Sequence, residues 1–179
     1  FYDRANMKIF SNNNSSLEDF RGNELNLKKF DLNLKNKIVK AYDISFKDID
    51  NNLFELNEAL IDLENNKVAG KDAKLFFNKE IFGNEKNDPR VYGRAISTSK
   101  TETILQKGVF TTCKFDENGK CPPWKIMADQ VKHNKLKKTI EYKNAWLNIY
   151  DQPVVYFPTF YHPDPTVKRQ SGFLMPRID

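Results

Sequence analysis

The chain has 179 residues, of which 39% are hydrophobic and 30% charged, and its formal net charge is +5. One ordinary domain is expected for this length, and no window approaches the roughly 18 uninterrupted apolar residues of a transmembrane helix, which excludes one. The positive charge suits an acidic partner such as nucleic acid, anionic lipid or a phosphorylated glycan. The lysines are scattered and accompanied by 24 acidic residues, so a solvated surface is the simpler interpretation.

The beginning of the chain carries the weakest pattern. The segment SSLEDFRGNELNLKKF allows a capped helix that begins at Ser15 or Ser16, although Gly22 and the asparagines disfavour it. Further along, short alternating apolar runs are separated by Asn-rich turns, which is typical of β-strands. Strands arranged in this way predict an all-β fold: a sandwich, a jelly roll or a solenoid.

The predicted strands share an internal repeat. The segments VKAYDISF (39–46), VAGKDAKLFF (68–77) and IEYKNAWLNIY (140–150) superimpose, and VYGRAI (91–96) is a weaker copy. In each clear copy the apolar alternation changes phase at an aspartate or asparagine. These residues are Asp43, Asp72 and Asn144. One extra residue in a strand re-aims every later side chain, so the sequence predicts a β-bulge at each of them.

The last third of the chain has a different composition. Seven of the eight prolines lie between Pro122 and Pro176. Proline is confined to sheet edges, strand starts and bulges, because it cannot donate a hydrogen bond to the ladder. The segment QPVVYFPTFYHPDP (152–165) therefore predicts an edge strand that passes into an irregular connector.

Four segments of the last third resemble one known family. They are KGVFTTC (107–113), CPPWKIMADQVKH (121–133), YKNAWLNIYDQPVVYFPTFYHPDP (142–165) and KRQSGFLMP (168–176). Their order and spacing resemble the LPS-assembly protein LptD family, also called organic solvent tolerance proteins. The resemblance implies an OstA-like β-jelly roll, made of stacked antiparallel strands around an apolar interior. The expected periplasmic jelly-roll domain is 1–167, with 1–29 poorly defined, and 168–179 would be the junction and first strand of a truncated outer-membrane β-barrel.

The resemblance also implies a function in lipopolysaccharide (LPS) transport. Such a periplasmic module receives LPS from a bridging jelly-roll protein (LptA-like) and passes it to the outer-membrane translocon, whose barrel holds a plug lipoprotein (LptE-like). The implied location is the cell outer membrane, with this portion in the periplasm. Pro176, in the expected first barrel strand, weakens that strand's ladder and would act either as a lateral gate for LPS or as a strand terminator at the interface.

A set of apolar residues in the last third is expected either to fill an ordinary core or to line a slot for the acyl chains. The set is Trp124, Ile126, Ile140, Tyr142, Leu147, Ile149, Val155 and Phe157. Composition alone favours the core, and the resemblance favours the slot. Alternation does not tell which strand face lines the slot, because the predicted bulges reset its phase.

The two cysteines, Cys113 and Cys121, flank a short loop with the turn signal Asn118-Gly119. Their spacing is not that of a zinc site, since no second Cys or His pair is near. A local disulfide would staple the loop, whereas the resemblance implies a bond from Cys113, at the family's Thr-Thr-Cys position, to cysteines near the end of the barrel. Cys121 departs from the family pattern, which favours the local bridge, and free catalytic thiols are the third alternative.

Nothing in the sequence supports catalysis. His133 and His162 have no Ser or Cys motif beside them, and solvated or locally hydrogen-bonded imidazoles are expected. We predict no enzyme activity, no cofactor, no metal and no nucleic-acid partner. One rival hypothesis is a β-solenoid enzyme or binding domain for acidic polysaccharide, which needs a cluster of carboxylates, basic residues or bound calcium on one face. The other is a nucleic-acid-binding β domain, which needs alternating aromatic and basic residues on an exposed face.

Overall fold

The structure, a computed structural model, describes residues 1–78, 88–113, 123–163 and 167. All regular structure in these residues is β-strand, which confirms the all-β prediction. No helix long and apolar enough to cross a membrane is present among them. The strands are β1 (Tyr2–Asp3), β2 (Lys8–Ser11), β3 (Ser15–Glu18), β4 (Glu24–Asn33), β5 (Ile38–Lys47), β6 (Leu53–Asp62), β7 (Lys67–Phe76), β8 (Arg90–Thr98), β9 (Glu102–Thr111), β10 (Trp124–Asn134), β11 (Thr139–Ile149) and β12 (Gln152–Pro163).

The strands form one open antiparallel sheet. From β4 to β12 each strand pairs with the next along the chain, while β2 and β3 both pair with β4 and β1 pairs with β2. This arrangement is consistent with the predicted β-jelly roll. The proline-rich β12 is the last strand in the order, which confirms the predicted edge strand. The connector expected after it lies at 164–166, outside the described residues.

The turns follow the Asn-rich breaks of the sequence. Lys37 and Asn66 adopt positive φ angles of 55° and 53°, as tight turns require. The capped helix that the sequence allowed at Ser15 or Ser16, but disfavoured, does not form. Residues from Ser15 form β3 instead, and a turn follows in which the Asp19 carboxylate accepts the backbone N–H of Asn23. Gly22, with φ at 90°, lies in this turn, where a helix would break.

In every long strand the alternation of inward and outward side chains is interrupted once, at the same level of the sheet. In β5, Ala41 and Ile44 are both buried although they are three residues apart, and so are Tyr142 and Ala145 in β11. A residue of positive φ lies between the members of each pair: Asp43, at 49°, and its counterpart in β11, at 49°. The phase change predicted from the repeat is confirmed.

The mechanism of this phase change differs from the predicted bulge. On either side of Asp43, Tyr42 pairs with Glu58 and Ile44 with Leu56, so a single residue lies between the pairs in each strand. No extra residue is inserted, because the neighbouring strand leaves Asn57 unpaired at the same level. We call this line of unpaired residues the bend line. Since all strands from β4 to β12 bend together, the pairing register continues unchanged across the bend line. The parity of the inward-facing side chains changes at this line in every strand.

The bend line also corrects the internal repeat. Among β7, β9 and β11, the positive-φ residues are Asp72, Lys107 and Asn144. The fourth copy of the repeat is therefore β9, and the weaker copy predicted at 91–96 belongs to β8, which has no positive φ. The sequence hides β9 because a lysine stands where the other copies have Asp or Asn.

The two halves of the sheet enclose one interior. Leu75 and Phe110 lie on one side of the bend line and Val131 and Tyr142 on the other, yet all four belong to one packed cluster. A second cluster covers β4–β6. Side chains from both halves therefore point to the same concave side. Small residues fill the positions next to the bend; a Cβ on Gly108, for example, would lie 2.6 Å from Val131 Cγ2.

Candidate functional site

Four rows of side chains run across the concave face from β4 to β12, and we name each row by its β11 member. The Leu147 row is Leu25, Phe46, Phe54, Leu75, Val91, Phe110, Ile126, Leu147 and Val155. The Tyr142 row is Phe30, Ala41, Ala59, Gly70, Ile96, Leu105, Val131, Tyr142 and Phe160. The Ala145 row lies between them along the bend line. The Ile140 row lies beyond the Tyr142 row, towards the 135–138 turn.

The Leu147 row is apolar on all nine strands, and the Tyr142 row is apolar or small throughout. Neighbouring strands lie about 4.8 Å apart, so nine strands give a continuous apolar surface about 38 Å long. Such a surface would be costly to leave in water. It is therefore either a core or a binding surface for an apolar ligand.

The structure brings most of the predicted slot residues together. Ile126 and Tyr142 are buried in the larger cluster. Four more pack against it: Trp124, Ile140, Leu147 and Phe157. The other two, Ile149 and Val155, pair with Trp124 and Leu147 and so lie on the same face, but they are 37% and 42% exposed.

Several interior residues were missed by the sequence reasoning. Leu105 and Phe110 in β9, Val131 in β10 and Leu75 in β7 are all buried in the same cluster. Phe160 of β12 packs against it. The available signal was the phase change: in ILQKGVF, Leu105 and Phe110 share one face only if the strand bends at the intervening lysine.

One buried polar pair lies within the apolar interior. The Tyr142 hydroxyl is 3.1 Å from His162 Nε2, and His162 Nδ1 is 2.7 Å from the carbonyl oxygen of Pro163. Because that carbonyl only accepts, Nδ1 donates to it, and in the neutral tautomer Nε2 accepts from the hydroxyl. Burial raises the pKa of Tyr142, which keeps the phenol protonated. The pair, stacked on Phe160, fixes the edge strand to β11.

The convex face is mostly polar. Along the bend line, Asp129 accepts hydrogen bonds from Lys107 and Asn144, and the bond from Lys107 lowers the pKa of this carboxyl most. In the segment TIEYKNAWLNIY, β11 exposes Lys143 and Trp146 on this face and buries Tyr142, while Tyr150 follows the strand and is exposed. The alternating exposed aromatics that the nucleic-acid hypothesis needs are therefore not present in β11.

The carboxylates that the polysaccharide hypothesis invoked do not cluster. Asp43 pairs with Lys28 at 3.6 Å, and Asp72 accepts a hydrogen bond from Asn57 at 3.0 Å. Both lie on the bend line in different strands. Within the ranges that the structure describes, no group of three or more His, Cys, Asp or Glu side chains could hold a metal ion.

Two predicted sites fall partly or wholly outside the described residues. Cys113 is half-buried and carries no disulfide within the described part, and its carbonyl oxygen accepts a hydrogen bond from the buried Arg90 at 2.6 Å. Its expected partner, Cys121, lies outside the described residues. The proposed gate, Pro176, lies outside them as well.

Comparison with known proteins gives one consistent likeness. No protein-family model matches the chain. The chain is 30% identical over 95 residues to LPS-assembly protein LptD of Idiomarina loihiensis, 36% over 74 residues to that of Yersinia pestis, and 33% over 81 residues to that of Acinetobacter baylyi. These matches cover 53%, 41% and 45% of this chain, but only 12%, 9% and 9% of the relatives. The chain is therefore similar, over about half its length, to a small part of LPS-assembly protein LptD.

Proposed function

We propose that this chain is a lipid-binding module of LPS transport, which holds the acyl chains of LPS against its concave face. The observation that carries the proposal is the Leu147 row, which is apolar on every strand from β4 to β12. Similarity to LPS-assembly proteins supplies the identity of the lipid. The module binds and passes a lipid, and it does no chemistry.

Acyl chains require a continuous surface because exposing them to water costs about 0.8 kcal/mol per methylene. A lipid that crosses the periplasm would expose its methylenes, and so meet this cost, wherever the apolar surface is interrupted. A row that crosses nine strands without a polar side chain provides no gap. Movement along the row needs no catalytic group, so its direction must be imposed from outside.

The open sheet has two ends, and each suits a different neighbour. The short strands β1 to β3 lie at one end, where a bridging jelly-roll protein (LptA-like) would deliver LPS. The edge strand β12 lies at the other, next to the outer-membrane translocon. Under this proposal 1–167 is the periplasmic domain, and 168–179 leads into the barrel and its plug lipoprotein (LptE-like). Pro176 would then weaken the first barrel strand at the lateral gate.

The test compares LPS with the same molecule after complete deacylation. Purified protein should bind acylated LPS and fail to bind the deacylated oligosaccharide, whatever its charge. Binding of the deacylated oligosaccharide with equal affinity would contradict the proposal and favour a module for acidic polysaccharide.

A further inference from the structure

We propose that the end of the sheet formed by the 99–101 and 135–138 turns binds the phosphate of the lipid head group. This inference rests on the proposed function and adds an orientation to it: the acyl chains lie along the Leu147 and Tyr142 rows, and the phosphorylated sugar lies at this end. Three observations carry it: a change of polarity in one row, a group of lysines, and their distance from the apolar rows.

The Ile140 row changes character halfway across the sheet. In β4 to β7 it is apolar, and in β8 to β12 it is mostly polar. The apolar members are Leu32, Val39, Ile61 and Val68, and the later members are Thr98, Thr103, His133, Ile140 and His162. The other apolar rows show no such change. A ligand that contacted only apolar surface would not need polar side chains in this row.

One lysine contacts the polar part of this row, and others occupy the adjoining 99–101 and 135–138 turns. Lys135 Nζ donates to Thr98 Oγ1 at 3.0 Å and to the Ser99 carbonyl at 2.7 Å, and Thr98 and Thr103 hydroxyls are 2.7 Å apart. Partial burial lowers the pKa of Lys135. The residue as a whole is exposed, and its ammonium is held by neutral oxygens, where an anion would stabilise it.

Lysines outnumber the two carboxylates that lie at this end, those of Glu102 and Glu141. Of the lysines there, Lys132 pairs with Glu102 at 2.7 Å. Four other lysines at this end take part in none of the ion pairs seen among the described residues. These are Lys100, Lys135, Lys137 and Lys138. At the same end of the β4–β7 half, by contrast, Lys37 pairs with Glu64 at 3.5 Å.

The site lies next to the apolar rows. His133 is two residues from Val131 of the Tyr142 row, a separation of about 7 Å along a strand. An amphiphile with a phosphate close to its acyl chains therefore satisfies both surfaces at once. Ammonium and hydroxyl donors in one place suit a phosphate, which accepts several charge-assisted hydrogen bonds.

The experiment measures binding of bisphosphorylated lipid A and of enzymatically dephosphorylated lipid A to the whole protein. The test variant is the triple substitution Lys135→Gln, Lys137→Gln, Lys138→Gln. The matched control carries the same loss of charge at exposed lysines that form no ion pair with another described residue. Its substitutions are Lys35→Gln, Lys40→Gln and Lys143→Gln.

We expect the wild type and the control to prefer the phosphorylated lipid by about tenfold, as one charge-assisted contact would give. The test variant should lose this preference while binding the dephosphorylated lipid as the wild type does. Equal binding of both lipids by the wild type would overturn the phosphate site and leave the proposed function standing, whereas failure to bind either lipid would overturn the proposed function. Tight binding of inorganic phosphate alone, lost in the test variant, would contradict a lipid head-group site and indicate a free anion.

Discussion

Replacing Gly108 by alanine tests whether close packing at the bend holds the two halves of the sheet together. The new Cβ would lie 2.6 Å from Val131 Cγ2, closer than real Cβ atoms approach a neighbour. Overpacking of this kind costs about 1–3 kcal/mol. The φ of Gly108 is not in the left-handed region, so loss of unfolded-state freedom returns about 0.4–1 kcal/mol. The net expectation is a loss of about 1–2 kcal/mol of unfolding free energy.

The assay is urea unfolding followed by tryptophan fluorescence and circular dichroism. The control is the double substitution with Val131→Ala, which removes the atom that the new Cβ meets. Each single variant is expected to be destabilised, and the double variant less than the sum by at least about 0.5 kcal/mol. Additive losses, or an alanine variant as stable as the wild type, would refute the claimed contact across the bend.

Three further predictions concern single side chains. Tyr142→Phe removes the buried hydrogen bond between the Tyr142 hydroxyl and His162 Nε2, and we expect a loss of about 1 kcal/mol in urea unfolding; an unchanged midpoint would contradict the buried pair. The pKa of Asp129 is lowered, first by the hydrogen bond from Lys107, so its stabilising contribution is present above the unfolded value near 3.8 and is lost as pH falls through the folded value. Asp129→Asn should therefore flatten the acid limb of the stability curve, and an identical limb would refute the assignment. A Cys113–Cys121 bridge should be found by mass spectrometry of a non-reduced digest, and free thiols or intermolecular dimers as the main species would exclude the local pairing.

The strands and turns could be predicted because their signals are local. Alternating apolar runs and Asn-rich breaks place β5, β7 and β11 close to their observed positions, and the prolines place β12 at an edge. The segment at Ser15 was harder, since a capping residue followed by Glu18 also suits a helix. Pairing with β4 decides for a strand, and that pairing is not visible in the segment itself.

The geometry of the interior could be predicted only in part. The phase change at Asp43 and Asn144 was visible, but a single strand does not show that its neighbour bends too. The choice between a bulge and a bend of the whole sheet depends on register, which is a property of strand pairs. Lys107 hid the bend in β9 for the same reason: a residue type that rarely adopts positive φ gives no local signal.

The polar end of the Ile140 row could not be found from sequence. Thr98 and Thr103 face each other in one hairpin, but His133 comes from β10, about 30 residues later. Lys135 was visible within a polar turn, where lysines are ordinary. Only the folded structure shows that its ammonium donates to Thr98.

The most direct test of the central claim is a photo-crosslinking scan along β11 during active LPS transport by the whole protein. Ile140 and Tyr142 lie on the concave face before the bend and Leu147 after it, whereas Lys143 and Trp146 lie on the convex face. Without the bend, simple alternation along the strand would place Trp146 on the concave face together with Ile140 and Tyr142. We predict that LPS is captured at Ile140, Tyr142 and Leu147 and not at Lys143 or Trp146. Capture should persist at high salt because acyl contacts are not screened. Capture at Trp146 in place of Leu147, or at no concave position, would contradict this prediction.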